Sequence, residues 1–433
     1  MKTAREIAAD ILCEVDGGAL SHEAFSGAVD RAALLPSDRA FVKKLVSGVL
    51  EHRDGIDAVI DRYSKKSVSA LKPLVRNTLR IGVYQLMYLT DIPQSAVCNE
   101  AVAIIARRRM TGLKGYVNAI LRSCCRDGVS AAKNACDVPD YIRDILMRRT
   151  GENGLQRVLK AFDGEAELTC RFLTSRAAPD EIKELLGSQG ITAERSPLAE
   201  HGYILSGVPI PGEVEAFKRG LIQYQGISSV FAVQLLDPAP GSVVLDICAA
   251  PGGKSIALAD MVGENGIVAA RDLTERKVRR IEENAARCFM PQIRAEVCDA
   301  REFVPEDEEK FDCVLADLPC SGLGTIGHKQ EIRYRITPDK VRDLAALQKD
   351  ILKNAVRYLK KGGRMLYSTC TITFEENEDN FRYIRDELGL APVSIEHFFP
   401  EWREGASDGY VQLLPGTDPV SDGFFCALFE KRD

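Results

Sequence analysis

From about residue 216 onward, short apolar runs alternate with helix-length amphipathic stretches. This alternation constrains the fold more than any other feature of the chain. The runs lie at 243–247, 267–270, 314–316, 364–367 and 424–429, and stretches such as 275–287 and 344–359 separate them. Apolar runs this short suit strands buried on both faces. Strand–helix alternation then predicts a mostly parallel sheet with helices on both sides, and ligand sites at the carboxyl ends of its strands.

The most informative stretch is Val243-Val244-Leu245-Asp246-Ile247-Cys248-Ala249-Ala250-Pro251-Gly252-Gly253-Lys254-Ser255. An apolar strand runs into a turn of small residues and then into a helix. Small residues let a ligand approach the backbone, and the helix N-terminus offers free N–H groups. Asp272 lies 19 residues after Gly253, a spacing that suits a carboxylate accepting from ribose hydroxyls. A Walker loop needs Gly where Cys248 stands, and no GxGxxG is present. What remains is a nucleoside cofactor without a dominant pyrophosphate site, and S-adenosyl-L-methionine answers that description.

Two later strand ends each deliver a cysteine: Cys320 in Asp317-Leu318-Pro319-Cys320-Ser321-Gly322 and Cys370 in Ser368-Thr369-Cys370-Thr371. If both strands belong to the sheet, both thiols face one crevice. Methylation of cytosine at C5 calls for such a group, because that carbon is too weak a nucleophile to take a methyl directly. A thiolate adding to C6 makes C5 nucleophilic, and one hard step becomes several easier ones. Asp317 is placed to hydrogen-bond the ring at N3 or the exocyclic amine.

The rest of the chain reads differently. Residues 1–127 carry helical periodicity throughout, as in Ile7, Ile11 and Val15, and in Phe41, Leu45 and Val49, with Ser37 expected as an N-cap. They hold 19 Lys and Arg against 14 Asp and Glu, a net +5 in a chain whose net charge is −6. Such a basic region is compatible with contact to a polyanion. Arg107-Arg108-Arg109 reads as either a solvated turn or a phosphate-contacting patch. A linker is expected over 128–139. Residues 140–215 form a small α+β pattern with strands at 168–173 and 203–205 and a helix at 179–188. None of the 13 cysteines forms a CxxC pair, there are five histidines, and no HExxH occurs, so no metal site is expected. No apolar run of about 18 residues and no signal-peptide pattern is present, and the expectation is a cytoplasmic protein without a membrane partner.

The segments Cys248-Ala249-Ala250-Pro251-Gly252-Gly253-Lys254, Asp317-Leu318-Pro319-Cys320-Ser321-Gly322 and Ser368-Thr369-Cys370, followed by Glu375-Glu376-Asn377, resemble the signature of the RsmB/Sun family of RNA cytosine-C5 methyltransferases. The resemblance covers about 216–433. It implies Cys370 as nucleophile, Cys320 as the residue assisting release, and Asp317 beside them. The implied S-adenosyl-L-methionine site comprises Cys248, Ala249, Ala250, Pro251, Gly252, Gly253, Lys254, Asp272, Asp299 and Asp317. Ile81-Gly82-Val83-Tyr84-Gln85-Leu86 and Leu113-Lys114-Gly115-Tyr116-Val117-Asn118-Ala119-Ile120-Leu121-Arg122 resemble the NusB-type RNA-binding domain. Together they imply a multidomain chain: an all-α NusB-like bundle over 1–127, a small α+β (RRM-like) domain over 140–215, and an α/β Rossmann-like class I methyltransferase over 216–433 with a mostly parallel seven-stranded sheet.

The implied substrate is cytosine 967 of 16S ribosomal RNA, naked or in a partly assembled small subunit, and the chain is expected to act as a monomer. Two departures stand out. Leu318 replaces the usual Ala, and Gly226 in Gln225-Gly226-Ile227-Ser228-Ser229 replaces the usual Asp. The alternatives are another ribosomal or transfer RNA cytosine, or a ribosome-assembly binding protein with an inactive methyltransferase domain. A DNA cytosine-C5 methyltransferase would use the Pro-Cys cysteine and a Glu-Asn-Val motif, which is absent.

Overall fold

The computed structural model describes residues 2–432 apart from 33, 130–137, 165, 166, 400, 402 and 421. Most of the linker expected over 128–139 therefore lies outside the described residues. The chain forms two units, 1–139 with 328–335, and 140–327 with 336–433.

The first unit contains α1 (Ala4–Asp16), α2 (Ser21–Ala32), α3 (Pro36–Glu51), α4 (Arg53–Tyr63), α5 (Pro73–Tyr88), α6 (Gln94–Arg107) and α7 (Lys114–Asp127). Thr3 caps α1 by accepting from the Glu6 amide, and Ile7, Ile11, Leu12 and Val15 bury one face. The expected N-cap at Ser37 is not formed. The helix α3 starts one residue earlier, because Pro36 has no N–H to satisfy and its fixed φ suits the first helical position after extended Leu35. Gly48 on α3 is required by packing: a Cβ there would stand 2.0 Å from the Tyr84 ring on α5. Buried Arg80 forks onto both oxygens of Asp57, at 2.7 and 2.6 Å. Arg107 pairs with Glu6 and Glu100, and Arg108 with Glu6 and Asp10, so two of the three consecutive arginines neutralise acids within the bundle.

Residues 328–335, which include the short α14 (Ile332–Arg335), complete this unit by meeting three helix ends. Glu331 accepts from the Ser21 amide (2.9 Å) and hydroxyl (3.0 Å) at the start of α2. Arg333 donates to the Glu51 carbonyl at the end of α3 (3.3 Å), and Arg335 to the Val15 carbonyl near the end of α1 (2.8 Å) and to that of Ala19. The acid meets a positive helix terminus and the two bases meet negative ones.

The second unit opens with α8 (Asp140–Phe162), broken at Gly151 (φ 64°). A small antiparallel sheet follows, built from β1 (Leu168–Phe172), β2 (Thr192–Arg195), β3 (Gly202–Ser206) and β4 (Ile222–Tyr224) in the order β2-β3-β1-β4, with α9 (Pro179–Ser188) and α10 (Glu215–Lys218). This sheet reaches past residue 215, the boundary expected from the sequence. Its last strand pairs with β1 through Ile222 opposite Phe172, and both side chains are buried.

Then come α11 (Ile227–Leu236), β5 (Val243–Asp246), α12 (Gly253–Val262), β6 (Ile267–Asp272), α13 (Glu275–Arg287), β7 (Ile293–Val297), β8 (Phe311–Asp317), α15 (Pro338–Tyr358), β9 (Leu359–Thr369), α16 (Glu378–Asp386), β10 (Ala391–Pro392), β11 (Tyr410–Leu413) and β12 (Phe424–Glu430). The large sheet has the order β10-β12-β9-β8-β5-β6-β7, and β11 pairs with β12. Among the described residues it has eight strands, not the expected seven. The run from β7 to β9 is parallel, whereas β12 returns antiparallel to β9 and pairs with β10 and β11. Val230, Phe231 and Leu258 pack one face, and Leu352, Tyr358 and Phe381 the other. Strand order reverses between β5 and β8, which opens a crevice at their carboxyl ends.

A buried ion pair joins the small sheet to α12. Arg171 and Asp260 are each 1% exposed and 3.3 Å apart, and Asp260 also accepts from the Ser175 amide and hydroxyl. Replacing Asp260 with Ala strands the guanidinium in a dry interior. We expect a loss of about 3–5 kcal/mol in urea unfolding, largely restored in the double variant Arg171→Met/Asp260→Leu. An unchanged midpoint for Asp260→Ala would count against this role.

Candidate active site

The crevice is assembled from four strand ends. Parallel pairing of β8 with β9 sets Asp317 opposite Ser368, so the chain segments that follow carry Cys320 and Cys370 into contact. The two sulfurs are 3.2 Å apart, within hydrogen-bonding reach for thiols. The Ser368 hydroxyl donates to Asp317 Oδ1 (2.8 Å). Lys254 Nζ, from the first turn of α12, donates to Asp317 Oδ2 (2.8 Å) and to Ser229 Oγ (3.1 Å). Burial alone would depress the Lys254 ammonium. Asp317 outweighs that and holds its pKa above the usual value. The Cys320 thiol is pushed well above its ordinary value, first by its hydrogen bond with Cys370, then by burial and by the nearby carboxylates. A thiol raised in this way keeps its proton at neutral pH.

A buried carboxylate holds the two cysteine segments together. Glu376 is fully buried, and it accepts from the Ser321 amide (2.8 Å), the Ser321 hydroxyl (2.6 Å), the Thr373 hydroxyl (2.8 Å) and Gln348 Nε2 (3.1 Å). Gln348 Nε2 also donates to the Pro319 carbonyl (2.9 Å), and Ser321 Oγ meets Thr371 Oγ1 (2.6 Å). Asn377 accepts from Thr369 (2.6 Å) and donates to the Thr371 carbonyl (3.2 Å). Sequence reading found the Glu375-Glu376-Asn377 signature but no task for it, and found no signal at all for Gln348.

The loop from Cys248 to Lys254 leaves β5 and enters α12. The Ala249 amide donates to the Arg271 carbonyl (2.8 Å), and the Ala250 amide to Asp272 Oδ2 (3.0 Å). Gly252 adopts φ 99°, and a Cβ there would press on Ile281 at 3.3 Å. Pro251 offers its carbonyl to Asn284 Nδ2 (2.9 Å). Burial pushes the Cys248 thiol far up, which makes it a wall of the loop and not a nucleophile. Asp299, expected in the same set, turns its carboxylate to Arg301 (2.5–3.1 Å). Leu318 is buried in the apolar cluster with Leu245 and Ile247, so the larger side chain fills core space. At Gly226, a Cβ would lie 3.4 Å from Asp422 Oδ2, so an Asp there would set a second carboxylate against the first.

A family model described as 16S rRNA methyltransferase RsmB/F matches residues 233–430, and a NusB family model matches 2–126. A probable ribosomal RNA small subunit methyltransferase B from Bacillus subtilis is 32% identical over 446 residues, covering 99% of this chain and 98% of that one. The chain belongs to the RsmB/F methyltransferase family. The ribosomal RNA small subunit methyltransferase B of Vibrio cholerae is 27% identical over 410 residues, covering 92% of this chain and 90% of that one. The solved structure of PH0851 superposes with a TM-score of 0.84 at 26% identity, covering 100% and 99% of the two chains.

Like other RsmB/F methyltransferases, the chain uses S-adenosyl-L-methionine, which supplies a methyl group made electrophilic by its sulfonium. The residues present suit that group. Asp272 sits at the end of β6 beside the glycine turn, and after its bonds to the Ala250 and Leu273 amides and to Lys277 its Oδ2 keeps acceptor capacity that would suit a ribose hydroxyl. Asp246 Oδ1 and both amide atoms of Gln225 are buried and have no protein partner among the described residues. The Gln225 carboxamide lies 3.9 Å from the position of a Cβ on Gly253, at the glycine turn. Among the described residues no cluster suits a metal ion, and no helix is long and apolar enough to cross a membrane.

Two expectations follow. Burial pushes Asp246 up to about 7, so the fold favours its neutral form. That stability is complete below the unfolded carboxyl value near 4 and is lost as pH rises towards 7, on the order of 4 kcal/mol. Asp246→Asn should match the wild type in urea at pH 4 and exceed it at pH 8; a constant difference would refute this. Glu376→Ala leaves several buried donors unpaired and should cost about 3 kcal/mol or more. Alkylation of Cys320 and Cys370 should also accelerate, and unaltered thiol kinetics would argue against Glu376 holding their segments.

Proposed function

We propose that the chain methylates C5 of a cytosine in small-subunit ribosomal RNA, cytosine 967 of 16S being the position implied by the family resemblance. The supporting observation is the Cys320–Cys370 pair at 3.2 Å beside Asp317 and Lys254. A methyltransferase acting on nitrogen or oxygen has no need of two thiols in contact.

In this reading the Cys370 thiolate adds to C6 of the target base. Asp317, its charge balanced by Lys254, accepts a hydrogen bond from the exocyclic amine or from a protonated N3. Electron density moves to C5, which takes the methyl group. Solvent water then takes the C5 proton, the electron pair of the C5–H bond forms the C5=C6 double bond, the C6–S bond breaks, and its electron pair returns to Cys370. The Cys320 thiol hydrogen-bonds the departing sulfur, which lowers the cost of expelling it. Attack on C6 comes from the ring face, so the base must leave any stack, and RNA loops or single strands are the natural targets. The basic helical unit, matched by the NusB model, is the expected RNA-binding partner of this chemistry.

Cys370→Ala should reduce methyl transfer by about 10⁴-fold or more and leave cofactor binding intact. Cys320→Ala should still attack the base but release it poorly, giving protein–RNA complexes that survive a denaturing gel. Full activity of Cys370→Ala would overturn the reading. Normal turnover without trapped complexes in Cys320→Ala would remove the release role. Mapping 5-methylcytidine in ribosomal RNA with and without the protein identifies the nucleotide and separates ribosomal from transfer RNA targets.

A further inference from the structure

Cys370 stands one position past the end of β9, so the sheet no longer holds the chain that carries it. The segment beyond it is tied down carbonyl by carbonyl. The Cys370 carbonyl accepts from the Gly324 amide (3.1 Å), and the Thr371 carbonyl from Asn377 Nδ2 and Gln412 Nε2 (3.2 Å each). The Ile372 carbonyl accepts from Arg149 Nε (2.6 Å). Gly324, Asn377 and Gln412 all lie in the region 233–430 that the methyltransferase model matches, whereas Arg149 lies on α8, ahead of the small sheet.

Arg149 does more than reach one carbonyl. Its two terminal nitrogens fork onto the two carboxylate oxygens of Glu378, at 2.7 and 2.9 Å, in the first turn of α16. Its guanidinium also lies 4.0 Å from the centre of the Phe374 ring. One side chain thus grips residues 372, 374 and 378, the stretch that leads away from Cys370. The side chains of Arg149 and Glu378 are 6% and 13% exposed, so these bonds are shielded from water. The planar guanidinium supplies a fork for the carboxylate and a further N–H for the carbonyl, a set of directions that a lysine ammonium cannot reproduce. The helix α8 is itself anchored within the same unit. Tyr141 donates to the Ile336 carbonyl (2.8 Å), and Ile142 and Leu146 are fully buried. The break at Gly151 places Arg149 in the last turn of a helical segment, where a cation suits the dipole.

We propose that Arg149 is a positioning residue for the Cys370 nucleophile, and that α8 thereby helps to build the active site, although the sequence of 140–215 shows only a small α+β pattern. The role of Cys370 as nucleophile rests on the function proposed above; the grip on its segment does not. The sulfur must meet C6 of the base along a narrow line of approach, and a displacement of about 1 Å can cost on the order of 100-fold in rate. Three held carbonyls in a row fix the backbone beside Cys370 against such a displacement, and Arg149 holds the third.

The test uses the full chain and unmethylated small-subunit ribosomal RNA. Four variants are compared with the wild type. Arg149→Met keeps the stem and loses the donors, and Arg149→Lys keeps the charge without the fork. Arg149→Met/Glu378→Leu removes both members of the ion pair. Arg148→Met changes the neighbouring exposed arginine over the same Phe374 ring. Arg149→Met should slow single-turnover methyl transfer at least about 10-fold, with the affinity for S-adenosyl-L-methionine unmoved. Alkylation of Cys370, mapped by mass spectrometry, should be at least about threefold faster in the same variant, with Cys320 changing less. Arg149→Lys should recover part of the rate, and Arg148→Met should match the wild type. The double variant separates positioning from mere stability. It strands no buried charge, so its urea midpoint should return towards the wild type, while the Ile372 carbonyl still lacks its donor and the transfer rate stays low. A double variant that regains both stability and rate would overturn the proposal, as would wild-type transfer and alkylation in Arg149→Met. Full activity of Cys370→Ala would remove the nucleophile itself; the alkylation comparison, which needs no RNA, would then still decide whether Arg149 holds the segment.

Discussion

The parallel pairing of β8 with β9 is the constraint on which the rest of the site depends. A parallel ladder fixes which residue lies beside which, and a slip of one position would turn every side chain to the opposite face. With Asp317 level with Ser368, the two chains leave the sheet together, and their cysteines arrive in contact a few residues later. Strand pairing ends at that level, however, and loops beyond a sheet wander unless they are bound. Glu376 supplies that binding. A single carboxylate with four donors bridges the Ser321 segment to the Thr373 segment, and complete burial shields those bonds from water. A carboxylate alone could accept so many donors, which explains why an acid stands here in place of an amide.

Charge in the crevice is arranged around one cation. Lys254 bonds Asp317, which faces the thiols, while the neighbouring Asp246 is driven towards its neutral form and bonds Ser255 instead. Had all of the nearby carboxylates stayed ionised around a single ammonium, their mutual repulsion would have to be offset by further cations. Neutralising the most deeply buried one removes that demand. Asp272, at the edge of the glycine turn, is balanced separately by Lys277 and two backbone amides, which leaves Lys254 to Asp317.

The sequence made this sheet legible because its core strands are short apolar runs with strong local signals, and all five expected strands occur. Three further strands were not legible. β7 is a largely exposed strand with no continuous apolar run, and β10 and β11 are two and four residues long and pair with β12. Similar reasons explain the remaining differences. Pro36 outcompeted Ser37 for the helix start, and β4 joined the small sheet through a partner some 50 residues away. The cysteines, Asp317 and the glycine turn were readable as motifs. Their support was not: Glu376 binds residues 55 and 28 positions away, and nothing local announces that such partners will meet. The arginine run reads from sequence as a solvated turn or a phosphate-contacting patch; Arg107 is exposed and Arg108 half-buried, and both also pair with acids of the bundle that no local pattern announces, Arg107 with Glu6 and Glu100 and Arg108 with Glu6 and Asp10.

The contact between the sulfurs also bears on the order of events in the proposed chemistry. Two thiols this close are a coupled pair, and removing both protons would set two negative charges against each other in a largely dry pocket. The resting pair therefore retains at least one proton, on Cys320. In the proposed chemistry Cys370 gives up its charge on bonding to the base and recovers it on leaving, while the Cys320 thiol beside it keeps the proton that its hydrogen bond to the departing sulfur requires.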